Sequence, residues 1–417
     1  MSLLGIQPII LNVNGMSYTL LRLILFFLVI QLDFIKGSLL TNLFYFACLM
    51  FFLFSLRKIK KNDVNRDVVY LLFIWSTFYF ISSLLSADLI HGMKIYLNTS
   101  LLYFLVFIAL ISQPTATLVK AYNFLISLCG IFIVIGTFIF FIMDDALVAL
   151  IASTEFQYER NSQIMGFSGV FINQNKLGPI LVLHLSWIIH KLLKGINNNK
   201  TFLLSFLLLD LFFLILTVSR ASILMFLLFI FIYLILNKSF KHIIYLCLFL
   251  LVGVVSFINY LPEVYDFLQY RIEVGGASNR DIIWQDAIQK WIEVPFFGLG
   301  PNQYSYLLND KILSTHNFYI GMLVNTGIFT LFTFLIFLLL AQFKCQIILL
   351  RQNNQNRSLI VYCFSIVSSM LAHQFFEAGG FSINSITGFA ILLLIAIISN
   401  CSKFHSGNFQ SESNLTS

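Results

Sequence analysis

The sequence predicts an all-α integral membrane protein with about twelve transmembrane helices and a large outer loop between the ninth and the tenth, and three observations carry that prediction. Hydrophobic residues make up 59% of the chain and charged ones only 10%, with a mean hydropathy of +0.90. Those values lie far outside the range of soluble globular domains. The apolar runs are about 20 residues long, enough for a helix to cross a hydrocarbon core of roughly 30 Å, and the weak alternation of an outer-membrane barrel is missing. Finally, basic residues concentrate in alternate loops, as they do when retained on the cytoplasmic side.

The first span, near 18–35, has a long apolar core that contains Asp33 and is not followed by a small-residue cleavage site. It is therefore expected to remain as a helix rather than to act as a cleaved signal peptide. Further spans lie near 37–56, 67–86, 91–112 and 118–142. Between the second and third stands RKIKKNDVNRD (Arg57 to Asp67), the most basic hinge in the chain. Placing it in the cytoplasm puts the amino terminus there too. The sixth span lies near 174–193, after an outer loop at 143–173.

The run from 202 to 236 looks continuous, but LTVSRASILM near its middle carries Arg220. An arginine at the bilayer centre costs roughly 3 kcal/mol or more. The polar residues Thr217, Ser219 and Ser222 mark a turn instead, which splits the run into spans near 201–218 and 221–237. Arg220 then lies at the outer interface, where it can snorkel. The remaining spans fall near 240–259, 316–343, 358–377 and 382–400. Lys120, the KLLKGINNNK loop (Lys191 to Lys200), Lys238, Lys241, Lys344, Arg351 and Arg357 all fall inside on this topology. So does the polar tail at 401–417, whose composition predicts disorder. Residues 1–400 form one polytopic membrane domain, and both termini are cytoplasmic. The net charge of +7 is then a matter of topology, and calls for no nucleic-acid partner.

None of the six cysteines falls in an outer loop or in a CxxC pair, which argues against disulfides and thiol-bound metal. Chemistry-bearing residues gather on the outer side. Within the net-negative loop at about 259–315, Ser278 or Asn279 can cap a helix that runs to about Glu293 and stops before Pro295. Arg280, Trp284, Ala287 or Ile288, and Trp291 recur at three- to four-residue spacing, predicting an interfacial helix on the outer leaflet. PFFGLG then forms a tight turn whose glycines permit positive φ. The loop closes with STHNFYIGMLVNTGIF, which sets His316 and Asn317 at the mouth of the tenth span.

That order of motifs resembles the O-antigen ligase and polymerase superfamily: an outer Ser219-Arg220-Ala221, then NRDIIW and PFFGLG in a large loop, then HNFYIGMLVNTGIF. The resemblance implies a metal-independent glycosyltransferase of the bacterial inner or plasma membrane, without a cofactor, acting on undecaprenyl-diphosphate-linked glycans. It also implies membrane lipids as surroundings and a chain-length regulator and a flippase as partners. It places Arg220, Arg280 and His316 around the donor diphosphate and the attacking hydroxyl. Guanidinium forks suit a leaving diphosphate that gathers negative charge, and a neutral imidazole can accept or orient a hydroxyl proton. Trp284 and Asn317 flank these groups as candidate substrate contacts. Family ligases often carry a second histidine and an acid around the loop-end motif. Here the text is THNFYIGML, which favours a polymerase of O-antigen or capsule over a ligase that passes the glycan to lipid A core or protein.

Other residues carry two readings. Asn173 and Asn175 suit sugar or phosphate contacts, and equally a helix cap. His184 and Asp210 each sit roughly 11 to 12 Å below the outer ends of adjacent spans, as a satisfied intramembrane pair or as a polar lining for the donor. His373 and Glu377, four apart near the outer end of the eleventh span, suit the acceptor side. Asp144 and Asp145 read as a solvated interface rather than as metal ligands. A transporter with twelve spans is the competing class, but it should show paired repeats and broken midplane helices.

Overall fold

The computed structural model describes residues 13–30, 38–56, 66–142, 174–195, 199–217, 219–238, 241, 280–308, 311–350, 357–377 and 385–403. Its helices are α1 (Val13–Ile30), α2 (Ser38–Leu56), α3 (Arg66–Leu84), α4 (Leu89–Tyr96), α5 (Leu102–Ile111), α6 (Thr115–Ile142), α7 (Gln174–Lys194), α8 (Lys200–Leu216), α9 (Arg220–Leu236), α10 (Arg280–Glu293), α11 (Phe318–Leu350), α12 (Arg357–His373) and α13 (Ile386–Lys403). Each predicted span overlaps described helices, the fourth being divided between α4 and α5, except the ninth, near 240–259, which apart from Lys241 lies outside the described residues. So do the loop at 143–173 with Asp144, Asp145 and Asn173, the caps Ser278 and Asn279, Cys247, and the tail from 404 onward. The predicted tail begins later than its composition suggested, because α13 runs on to Lys403.

Among the described residues, five helices are by length and composition long and apolar enough to cross a membrane: 66–84, 89–111, 115–136, 174–194 and 318–350. Five shorter apolar helices accompany them. The protein is a multi-pass membrane protein of predominantly helical structure. At its centre α13 is buried on every face from Ile386 to Cys401, as expected of a helix apolar all round. The run from 202 to 236 is broken as its arginine requires. Helix α8 ends at Leu216, α9 begins at Arg220, and Thr217 closes the first by donating to Leu214 O at 2.7 Å.

The loops sort to two ends of the bundle. Arg357 donates to Leu236 O, so the start of α12 lies beside the end of α9, and these well-packed helices run antiparallel. Arg220 and Glu377 therefore share one end. At the same end, Gly178 near the start of α7 packs against Ser219 and Ser222, and Gly300 packs against Ser86 just past α3. The opposite end gathers Ser55, Gln113 and Asn400, joined by hydrogen bonds of 3.0 and 2.7 Å, and the Lys344–Asp67 ion pair at 3.7 Å. Lys344, one of the basic residues assigned to the cytoplasmic side, lies at that second end.

Two features of the 280–318 region depart from expectation. A two-stranded antiparallel hairpin pairs Tyr306 with Leu313 and Leu308 with Lys311, so the outer loop is not purely helical and irregular. Strands of three residues are too short for alternation to reveal. The tryptophan stripe of α10 also faces protein rather than the leaflet. Ile283 and Ala287 are buried against Tyr304 and Val324, with Trp291 packed beside them. Both indole N–H groups donate to backbone carbonyls, Trp284 to Thr315 O at 2.7 Å and Trp291 to Pro295 O at 2.9 Å. A stripe of this spacing cannot distinguish a lipid surface from a helix that packs back on its own bundle.

What holds this loop is an interruption of α11. Gly327, at φ 78° and ψ 176°, breaks the helix between two helical pieces. The break exposes carbonyls that the PFFGLG turn then occupies. Leu299 N–H donates to Val324 O and Gly300 N–H to Asn325 O, both at 2.9 Å, and Ile328 N–H donates to Pro295 O at 3.0 Å. Gly298 and Gly300 adopt φ of 69° and 107°, as the turn required. A Cβ at Gly327 would run into the Phe296 carbonyl. Its dihedrals also lie in a region open essentially only to glycine. Gly327→Ala is expected to destabilise the protein by about 3 kcal/mol or more, seen as a lowered melting temperature in nanodiscs and as faster proteolysis between 280 and 313. An unchanged melt and digestion pattern would show that the turn does not depend on this break.

Candidate functional site

The end of the bundle that holds Arg220 also holds a compact group of ionisable side chains. Arg280 opens α10 and lays its guanidinium on the chain just past α12: Nη1 donates to Phe376 O at 2.9 Å and Nη2 stands 3.5 Å from Glu377 Oε1. The other carboxylate oxygen of Glu377 lies 3.9 Å from His316 Nδ1. Glu377 thus bridges the two residues singled out in the loop, which are 36 positions apart in sequence by number alone. The His316 contact is longer than a hydrogen bond, a looseness common where a catalytic contact tightens on substrate binding. Arg280 Nε is buried with no partner among the described residues. A buried, unpaired guanidinium N–H calls for an acceptor.

Local structure explains each placement. Arg280 occupies the first turn of α10. His316 takes a left-handed backbone, φ 46°, a strained state for a residue with a β-carbon. It is fixed from both sides, by the Trp284 bond to Thr315 O and by Thr315 Oγ1 donating to Asn317 O at 2.9 Å. Its side chain is 41% exposed, open to a ligand. Nearby, Tyr304 donates to Ile283 O and to Asp286 Oδ2, each at 3.0 Å. Burial and that carboxylate hold its phenol pKa well above the usual range.

Two predicted contacts have other partners. Asn317 is buried and its Oδ1 caps α11 by accepting from Ile320 N–H at 3.0 Å, which leaves its amide nitrogen alone for substrate. The Trp284 N–H is engaged with Thr315, so only its ring can meet a ligand. Arg220 is exposed and forms no ion pair with any described residue. It lies at the same end as the cluster but is not drawn into it. Asn175 is half-buried in the first turn of α7, and Gly178, further along the same helix, packs against Ser219 and Ser222. Among the described residues no group of three or more His, Cys, Asp or Glu is placed to hold a metal ion.

Glu377 was noticed in the sequence only for its spacing from His373. The expected shared helical face does not form, because α12 ends at His373 and Glu377 follows a turn. His373 is buried beneath it, with Nδ1 3.5 Å from Gln374 Nε2. His184 and Asp210 do meet, at 2.6 Å between Nδ1 and Oδ2, with Asp210 fully buried.

The bundle thus collects a guanidinium, a carboxylate and an exposed imidazole at the end that also holds Arg220. Residues 204–335 match a family model described as O-Antigen ligase. The match supports the resemblance drawn from the motifs, to the superfamily of O-antigen ligases and polymerases, enzymes that act on lipid-linked sugars. Arg220, Arg280 and His316 all fall within the matched segment, whereas Glu377 and Asn175 lie outside it. None of the curated proteins compared matches the chain.

The His184–Asp210 contact separates its two readings by experiment. Removing one partner leaves a buried polar group unpaired, and His184→Phe is expected to cost about 3 kcal/mol or more. Adding Asp210→Leu should recover most of that loss in a thermal melt. If the double variant melts normally but makes no glycan, the pair lines the donor path rather than merely stabilising the bundle.

Proposed function

We propose that this protein transfers a glycan from undecaprenyl diphosphate to the terminal sugar hydroxyl of a lipid-linked repeat unit, polymerising O-antigen or capsule on the outer face of a bacterial inner or plasma membrane. Both termini lie in the cytoplasm in this reading, and the end with Arg220, Arg280 and His316 faces out. The bridge from Arg280 through Glu377 to His316 carries the proposal. It sets an anion-binding group and a proton-accepting group side by side at the end where Arg220 emerges.

The reaction balances without a metal. The acceptor oxygen attacks the anomeric carbon of the donor glycan. The bond from that carbon to the diphosphate oxygen breaks, and its electron pair leaves with undecaprenyl diphosphate. The acceptor proton passes to His316. Glu377 facing Nδ1 favours the tautomer with its proton there, so that Nε2 serves as the acceptor, the orienting logic of a carboxylate behind a catalytic imidazole. Arg280 has five N–H donors in all. The contacts to Phe376 and Glu377 engage two, and the unpaired Nε remains for phosphate oxygens. Arg220 adds a second guanidinium, and such forks bind phosphate bidentately. A chain-length regulator and a flippase are the expected partners.

One observation favours the ligase reading as an alternative. The loop-end motif has a single histidine and no acid, which pointed to a polymerase, but the end of α12 and the chain just past it supply His373 and Glu377 near that motif. The acceptor would then be lipid A core or a protein, with the same bond chemistry.

Deletion of the gene and electrophoresis of the surface glycan tests both. A retained single repeat without a ladder identifies a polymerase, and loss of everything beyond the core identifies a ligase. Restored with variants, His316→Ala and Arg280→Ala should each lower glycan transfer by about a hundredfold or more, and Glu377→Gln by about tenfold or more. Arg220→Lys keeping full activity would rule out bidentate diphosphate recognition at that position.

A further inference from the structure

On the far side of the Ser314–Thr315 segment lies a cavity of about 520 Å³, enclosed by α3, α4, the helix following it, the start of α11 and the loop at 302–304. The volume is in the range of roughly 300 to 1,000 Å³ that small-ligand sites occupy. Aromatic rings form much of its wall, among them Trp75, Tyr79, Phe318 and Phe334. At its edge α4 passes into α5 through a π-helical turn, Leu97–Leu101, which carries Asn98 and Thr99 into the lining. Such turns insert one extra residue per coil and are frequent where a helix must present side chains to a ligand.

Two residues of this wall carry polar atoms without a partner among the described residues. Trp75 is 3% exposed and Tyr103 is 1% exposed, yet Trp75 Nε1 and Tyr103 Oη make no hydrogen bond to any described residue. Buried indole N–H and phenol groups ordinarily find a partner. The side chains of Asn98 and Asn302 are likewise unengaged, whereas Asn325 and Thr326 are occupied with Tyr304, Gly321 and Met322. The cavity therefore pairs flat aromatic surface with unused donors and amides. A lipid acyl chain would leave every one of those groups unsatisfied. A hydroxylated ring, with an apolar C–H face and polar edges, matches both.

We infer that this cavity binds a pyranose ring of the acceptor glycan, its hydroxyl or ring oxygens accepting from Trp75 Nε1 and Tyr103 Oη and its C–H face lying on the aromatic wall. The inference rests on the reading in which His316 serves an acceptor hydroxyl, since Ser314 and Thr315 line the cavity and His316 is the next residue along the chain. The strained backbone of His316 is then the hinge between the sugar pocket and the ionic cluster.

The test is saturation-transfer NMR on the full-length protein in nanodiscs, with the methyl glycosides of glucose, galactose, mannose, N-acetylglucosamine and N-acetylgalactosamine as probes. At least one should receive saturation. Tyr103→Phe removes a hydroxyl that has no partner in the protein, so its melting temperature should hold while sugar affinity falls about tenfold. Asn98→Leu should weaken binding by a similar factor, and Arg280→Ala should leave it intact although glycan transfer is lost. No transfer to any of the probes, or equal transfer in wild type, Tyr103→Phe and Asn98→Leu, overturns the inference. Sugar binding that depends on Tyr103, in a protein whose glycan ladder survives Arg280→Ala, would retain the pocket and reject the proposed transferase chemistry.

Discussion

The break in α11 at Gly327 is the constraint from which the upper half of the molecule follows. A membrane helix satisfies its own backbone, and an interruption leaves carbonyls and an N–H that must find partners elsewhere. Here the partners are the backbone groups of Pro295, Leu299 and Gly300. The turn and the break satisfy one another, and neither works without glycines at positive φ. This pairing fixes the depth and register of the chain between α10 and α11. A loop that could have ridden on the surface becomes part of the bundle.

That register has chemical consequences. With the turn anchored, α10 lies along α11 through Ile283, Ala287 and Val324, and Arg280 at its start falls over the end of α12. Trp284 on the same helix reaches back to the Thr315 carbonyl. The backbone at His316 is thereby gripped on its N-terminal side by α10 and on its C-terminal side by the Asn317 cap of α11. A residue held from both sides can be kept at φ 46°, a conformation that a free loop would relax. The strain orients the imidazole toward Glu377 and leaves it open to solvent.

The legible part of this design is what one-dimensional rules can price. Span length and loop charge recover the helices, and the cost of a buried guanidinium recovers the turn at Arg220. Depth along two antiparallel helices was enough to pair His184 with Asp210. The rest depends on where helices stop and on what they pack against. Glu377 appeared to share a helical face with His373, but α12 ends first, and only the turn beyond it delivers the carboxylate to Arg280. Arg280, Trp284, Ala287 and Trp291 have the spacing of an interfacial helix, and the same spacing serves a helix folded onto its own bundle. Trp75 and Tyr103 look like core aromatics in any window of α3 or α5. That their polar atoms lack partners is a property of four separate elements meeting, which no local pattern records.

The electrostatics of the two arginines differ in a way that bears on how the site would be used. Arg280 is compensated by Glu377 and tied to a carbonyl, so it presents little net charge to an arriving anion. Arg220 is exposed, has no ionic partner among the described residues, and can attract a diphosphate at the interface, though salt screens such a charge within about 10 Å. An anion that reaches Arg280 competes with Glu377 for the same guanidinium. The carboxylate it displaces has one other described ionisable neighbour, His316, at 3.9 Å. Closing that distance would turn the contact into a hydrogen bond that fixes the tautomer and orientation of the imidazole. In the proposed reaction, donor binding at the arginine would thereby orient the base that the acceptor needs, and a protein with the arginine but without the carboxylate would bind its donor without that gain.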